Sequence, residues 1–211
     1  MFITFEGIEG SGKTTQIKLL LEWLEKENIS FVNTLEPGGT EIGRALRQLL
    51  LDCQSSLRAN LSELFLFAAD RCEHLVQVIQ PALERGDWVI CDRYIDSTFA
   101  YQHGGRGHAK QDVLDMIRFT KAIQPDITFL LDLDPTEGLQ RAQRRAELDR
   151  FETEALSFHK KVRSAYSECA DMYPDRVVRI DVGNKSIEAI FSVIVTEINA
   201  RRLSNVKNKA N

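Results

Sequence analysis

Residues 7 to 14 read Gly7-Ile8-Glu9-Gly10-Ser11-Gly12-Lys13-Thr14, and no other stretch limits the fold as strongly. The octapeptide fits G-x-x-x-x-G-K-[ST] in full. An apolar run, Phe2 to Glu6, precedes it, and an amphipathic pattern, Lys13 to Glu27, follows it. Strand, glycine-rich turn and helix in that order aim successive backbone N–H groups at an anion. The helix start adds the positive end of its dipole. Lys13 supplies a mobile charge for β- and γ-phosphates, and Thr14 a hydroxyl for Mg²⁺. The segment Gly7 to Thr15 therefore predicts a bound nucleoside triphosphate.

The rest of the chain repeats the alternation of strand and helix. Apolar runs occur at Ser30 to Thr34, Asp87 to Cys91, Ile127 to Leu131 and Arg176 to Ile180. Such runs suit parallel strands buried on both faces. Helical patterns cover Thr40 to Leu51, Leu61 to Glu84, Asp112 to Ile123, Thr136 to Glu147, Thr153 to Asp171 and Ser186 to Arg202. The expected fold is α/β: a three-layer arrangement with a five-stranded parallel sheet flanked by helices. One domain over residues 1–203 is expected, with a frayed tail at 204–211. In such folds ligands bind beyond the carboxyl ends of the strands.

Composition excludes several classes. The 211 residues suit one well-buried domain. Lys plus Arg number 27 against 31 Asp plus Glu, a net charge of −4, which argues against a nucleic-acid partner. No apolar run approaches the ~18 residues of a membrane span, and the N-terminus does not read as a signal peptide. Cys53, Cys72, Cys91 and Cys169 form no C-x-x-C pair and read as reduced thiols of a cytoplasmic protein. A GTPase reading fails at Asn184-Lys185-Ser186-Ile187, where Ile187 replaces the guanine-reading carboxylate. Ser186 reads instead as a helix N-cap.

Three constellations suggest a site for a second ligand. Asp92-Arg93-Tyr94 follows a strand, where an aspartate can hold Mg²⁺ through water and an arginine can fork onto phosphate. Asp132 and Asp134 compete for the Mg²⁺ role. Phe67 and Arg71 share a helix face at i and i+4, a flat ring beside a planar donor, as a nucleobase requires; a core Phe with a surface Arg is the plain alternative. Arg141, Arg144, Arg145 and Arg150 crowd one segment: a solvated face, or a flap whose arginines neutralise transferring phosphates.

Taken in order, these segments resemble the thymidylate kinase family. The resemblance rests on FEGIEGSGKTT (Phe5 to Thr15), EPGGT (Glu36 to Thr40), LFLFAADR (Leu64 to Arg71), DRYIDSTFAYQ (Asp92 to Gln102) and LDRFE (Leu148 to Glu152). It implies transfer of the γ-phosphate of ATP to dTMP, with Mg²⁺ as cofactor. By the resemblance, Phe67 stacks on thymine, Arg71 bonds its O4, and Thr98 faces N3 with Ser97 and Gln102 nearby. Tyr101 packs against the deoxyribose, and Arg93 and Arg47 clamp the acceptor phosphate. Glu36 and Pro37 border that site, and Glu9 reaches the 3′-hydroxyl. Asp92 becomes the preferred Mg²⁺-linked carboxylate with Thr14, and Arg141 stacks on adenine. The loop interior Ile8-Glu9-Gly10-Ser11 holds no arginine, so the catalytic arginine is expected in a lid at about 138–152: Arg145 first, then Arg150 or Arg144. Relatives often carry Arg where this chain has Leu35. The resemblance also implies a homodimer through helices, in keeping with the apolar circumference of Leu61 to Glu84.

Overall fold

The computed structural model describes residues 1–54, 57–144 and 149–209, the side chains of 204–209 excepted. Five strands form a parallel sheet: β1 (Phe2–Glu6), β2 (Phe31–Leu35), β3 (Trp88–Asp92), β4 (Ile127–Asp132) and β5 (Val177–Asp181), in the order β2-β3-β1-β4-β5. Every residue of β1 and of β4 is buried, so helices cover both faces of the centre of the sheet. Phe5 of β1 and Phe129 of β4 pair across the register, ring centroids 5.4 Å apart.

The strands other than β1 run one residue further than the apolar pattern indicates. The extra residues are Leu35, Asp92, Asp132 and Asp181, three of them carboxylates. Their backbones remain in the ladder: the Asp92 carbonyl accepts from Glu36 N at 3.0 Å, and the Asp132 carbonyl from Val182 N at 3.0 Å. Ladder bonding overrides the poor strand propensity of Asp and brings two carboxylates to the edge where ligands bind.

The helices are α1 (Lys13–Lys26), α2 (Glu41–Leu51), α3 (Asn60–His74), α4 (Gln80–Glu84), α5 (Ile95–Thr98), α6 (Lys110–Phe119), α7 (Pro135–Gln143), α8 (Leu156–Met172) and α9 (Ile187–Lys209). Thr40 caps α2 by accepting from Gly43 N at 2.9 Å, and Ser186 caps α9 by accepting from Ala189 N at 3.2 Å. A π-helical turn, Leu75–Ile79, joins α3 to α4, so the long pattern from Leu61 to Glu84 is one bent rod. Helical backbone continues to Lys209, through most of the segment expected to fray; no Gly or Pro interrupts it.

One helical segment escapes the sequence pattern. After α5 the chain continues as a π-helical stretch, Phe99–Gly105. Its glycines hide the periodicity, and the structure supplies their reason. A Cβ on Gly104 would lie 2.6 Å from Ala165 Cβ, and one on Gly105 2.5 Å from Phe158 Cε2. Only glycine lets this stretch lie directly on α8.

Candidate active site at the carboxyl ends of the strands

A cavity of about 610 Å³ opens where β1 and β3 end. One end is the phosphate loop. Gly12, at φ +93°, caps α1 in the left-handed region and leaves the first N–H groups of the helix facing the loop. Gly10 approaches the backbone of α7 so closely that a Cβ there would lie 2.3 Å from Gly138 O. Lys13 is buried, and its Nζ donates to Gly7 O at 2.8 Å and Ile8 O at 3.0 Å. Burial, and then the nearby Arg93 charge, pull its pKa down to about 8 despite Asp92, Glu9 and Glu6. The Ser11 hydroxyl is buried without a partner. Thr14 and Thr15 line the cavity at the start of α1, as do Glu9, Gly10, Ser11 and Gly12, whereas Gly7 and Ile8 contribute the carbonyls under Lys13.

Asp92, Asp132 and Asp134 are the candidates for the metal role, and the strands before them, β3 and β4, both flank β1. The structure separates them. Asp132 is engaged by Arg163 at 2.7 Å and Arg179 at 2.5 Å. Asp92 lines the cavity and has a buried Oδ1 without a partner. Asp92 and Thr14 together offer the hard oxygen donors that suit Mg²⁺. Among the described residues no cluster of three His, Cys, Asp or Glu side chains could hold a metal by itself.

The opposite end holds arginines. Arg93 sits at φ +67°, just past β3, a strained turn that swings its side chain into the cavity. Its Nη2 donates to Glu9 Oε1 at 3.0 Å, and its Nη1 to Ser97 Oγ at 3.2 Å and Tyr166 OH at 3.1 Å. Tyr101 OH also donates to Glu9 Oε1, and the Arg93 guanidinium lies 5.2 Å from the Tyr101 ring centre. Burial alone would raise the Glu9 carboxyl; His159 at 3.5 Å, Arg93, Lys13 and Tyr101 outweigh it and hold Glu9 well below the usual carboxylate range. Arg47 is held by Pro37 O at 2.8 Å. Burial, and then the Arg93 charge, lower its pKa despite Asp149, Asp92 and Asp70.

Beside these arginines lies a slot with an aromatic wall. Phe67 is half-buried: it packs against the core and also lines the cavity. Arg71 is fully buried: one nitrogen bonds Glu36 Oε1 and Thr98 Oγ1, the latter at 2.6 Å, while Nε and Nη1 have no partner. Glu36 and Thr98 both line the cavity. Gln102 also lines it, with Nε2 donating to Glu63 at 2.6 Å and Oε1 buried and unpartnered. Leu35 leaves the pairing around Glu36 intact: Arg71 pairs with its Oε1, and His74 Nδ1 lies 3.4 Å from its Oε2.

Ser97 lines the cavity, and its hydroxyl is bonded to Glu6, Tyr166 and Arg93. Thr98 accepts from Arg71 and keeps a second lone pair, and Gln102 Oε1 is a buried acceptor without a partner. Arg150 is tied to Leu50 O at 2.8 Å and Glu63 at 2.5 Å, so it is no free lid arginine. Arg144 is exposed at the end of α7. Arg145 lies outside the described residues. Arg141 lies against Gly10 O at 3.4 Å and pairs with Glu137 at 2.5 Å.

Sequence reasoning missed Glu6, His159, Tyr166, Phe151 and Glu63. Glu6 is fully buried at the end of β1. It accepts from Tyr94 N at 2.7 Å, Ser97 Oγ at 2.5 Å and Tyr166 OH at 3.1 Å. Burial, and then the neighbouring Asp96 charge, raise its pKa to about 7. A carboxylate closing an apolar strand was the available signal. His159 and Tyr166, on α8, have no local motif.

A phosphate loop at the centre of a parallel sheet, with further arginines lining the same cavity, is the arrangement of a P-loop kinase. The chain belongs to the thymidylate kinase family, whose pattern matches residues 5–194. It is 46% identical over 214 residues to the thymidylate kinase of Pelobacter propionicus, with 98% of this chain and 97% of that protein covered. It is 48% identical over 193 residues to that of Gloeobacter violaceus, with 90% of each covered. Its structure is similar to the crystal structure of thymidylate kinase from Ehrlichia chaffeensis: TM-score 0.76, 36% identity, 94% of this chain and 98% of that one covered.

Proposed function

We propose that this chain transfers the γ-phosphate of Mg·ATP to dTMP, giving dTDP and ADP, and that it works as a cytoplasmic homodimer. The observation that carries the acceptor is a donor–acceptor pair beside an aromatic wall. Arg71 has free buried donors, Gln102 has a free buried acceptor, and Phe67 offers a face to stack on. The O4 and N3–H edge of thymine presents an acceptor and then a donor. Cytosine presents the reverse.

Lys13, Ser11 and the loop N–H groups hold the triphosphate, with Arg141 at the donor base beside Val182, Lys185 and Ile187. Arg93 and Arg47 hold the acceptor phosphate. Glu9 fixes Arg93 and Tyr101, and its ionised carboxylate is the proposed partner of the sugar 3′-hydroxyl. Thr14 and Asp92 would hold Mg²⁺, which screens the charge of the phosphates when bound. No strong base is needed, because the attacking phosphate oxygen is already ionised near neutral pH. The cations bring together two anions that otherwise repel. Arg145 is the proposed lid arginine.

The dimer reading rests on α3 and the turn after it. Leu61, Phe65, Ala69, Cys72 and Val76 are all exposed, and their helical spacing puts them on one face. An apolar stripe of this length fits a two-fold contact. The function is tested by measuring ADP release from Mg·ATP with dTMP, dUMP, dCMP, dGMP and ribo-TMP in turn. Strong stimulation by dTMP and weak stimulation by dUMP is expected. No stimulation by any monophosphate, with ATP still bound, would sink the kinase assignment.

A further inference from the structure

Glu63 is a buried carboxylate one helical turn from Phe67, with no place in the chemistry so far. Three elements converge on it. Gln102 Nε2 donates to Oε1 at 2.6 Å, Arg106 Nε to Oε1 at 3.1 Å, and Arg150 Nη2 to Oε2 at 2.5 Å. Both arginines also lie on Phe151, at 5.2 Å and 4.8 Å from the ring centre. Phe151 lines the cavity, 6.1 Å from Phe67 and 5.6 Å from Tyr101. The segment carrying it is a tight turn: Asp149 Oδ1 accepts from Phe151 N at 2.8 Å and Glu152 N at 2.9 Å, and Arg150 N donates to Leu51 O at 3.0 Å.

We infer that Glu63 is a positioning residue that sets the polarity of the acceptor-base slot, by fixing which end of the Gln102 amide faces it. An amide has two nearly isosteric ends, one donating and one accepting. A carboxylate can only accept, so it takes the NH2 end and leaves Oε1 over. Two guanidiniums keep Glu63 in that form, and their hydrogen bonds hold its pKa below the usual value against the burial that would raise it. The free acceptor then suits a base with N3–H and opposes one with a lone pair at N3. Without Glu63, Gln102 could turn over and present a donor. Discrimination between thymine and cytosine is thus set one residue behind the slot, by a group that never touches the base.

This inference rests on the dTMP kinase reading, and the experiment separates the two. Steady-state kinetics with dTMP and dCMP are compared for the wild type, Glu63→Gln and Arg150→Met. An amide at position 63 serves either orientation of Gln102, whereas Arg150→Met leaves the carboxylate in place. Glu63→Gln is expected to lower the dTMP:dCMP ratio of kcat/KM at least ~10-fold, with the KM for ATP within about twofold. Arg150→Met should change that ratio less than about threefold. Should Glu63→Gln fold poorly, the double variant Glu63→Gln/Arg150→Met removes one cation with the anion and should show the same loss of discrimination. A wild type that ignores dTMP refutes the kinase reading. A wild type that uses dTMP, beside Glu63 variants that keep its base ratio, overturns the inference, whether or not their overall activity falls.

Discussion

Gly138 offers the sharpest test of how the phosphate loop is held. It lies in α7, where Ala has the higher helix propensity, so Gly138→Ala would by itself stabilise the helix by about 0.5–1 kcal/mol. The tertiary contact opposes this. The new Cβ would sit 2.5 Å from Glu9 O and 2.9 Å from Ile8 Cδ1. Ordinary contact begins at 3.4 Å, so the loop carbonyl must withdraw by about 0.9 Å. Overpacking of this kind costs about 1–3 kcal/mol, which leaves a net loss of roughly 0–2.5 kcal/mol. The functional effect should be larger. A shift of about 1 Å in a group that aligns reacting phosphates costs on the order of 10²-fold in rate. Gly138→Ala should therefore lower kcat/KM for ATP by roughly that factor while urea unfolding moves only slightly. A variant with wild-type kcat/KM and added stability would show that α7 does not press on the loop, and the reasoning would fail.

Other outcomes follow from the same geometry. ATP binding takes up a proton when Lys13 starts near 8, so the affinity should weaken up to ~10-fold per pH unit above that point; calorimetry in buffers of different ionisation enthalpy should find that uptake, and a flat profile from pH 7 to 9.5 counts against it. Phe67→Ala removes a stacking face and should raise the KM for dTMP by the equivalent of ~1–3 kcal/mol with the KM for ATP unchanged, and equal changes in both would refute the stacking role. Glu6 and Asp70, raised to about 7 and about 6 by burial and neighbouring carboxylates, bind protons in the folded state that the unfolded chain releases. Their contribution is present below about pH 4 and lost as pH rises through 6 to 7, for Glu6 by about 3 kcal/mol. Urea midpoints should fall accordingly between pH 5 and pH 8, and Glu6→Gln should flatten most of that slope; an unchanged slope would mean that Glu6 is ionised throughout. Phe65→Asp places a charge in the exposed stripe of α3 and should yield monomers in sedimentation, and a persistent dimer would place the interface elsewhere.

The parallel sheet and the phosphate loop were legible because each depends on local sequence: apolar runs of strand length, and glycines before Lys13. At the other end of the cavity the sequence named residues but not their wiring. Phe67 and Arg71 share a helix face by spacing, yet which Arg71 nitrogens stay free depends on Glu36 and Thr98, 35 and 27 residues away in the chain. The choice between Asp92 and Asp132 turned on arginines far along the chain, Arg163 and Arg179, which occupy Asp132. Nor does the sequence show what holds Ser97: its hydroxyl partners Glu6, Arg93 and Tyr166 lie 91, 4 and 69 residues away in the chain. The stretch Phe99–Gly105 carried no helical period, since Gly104 and Gly105 answer to α8 and not to their neighbours in sequence.

A single turnover of γ-³²P ATP, with dTMP in excess and Mg²⁺ present, tests most directly whether two phosphorylated nucleotides meet in this cavity and exchange one phosphoryl group. Label should appear in dTDP in step with ADP formation, and far more slowly in the product of dCMP. Label appearing only as inorganic phosphate, or equally fast labelling of dTMP and dCMP, would contradict the proposed transfer to dTMP.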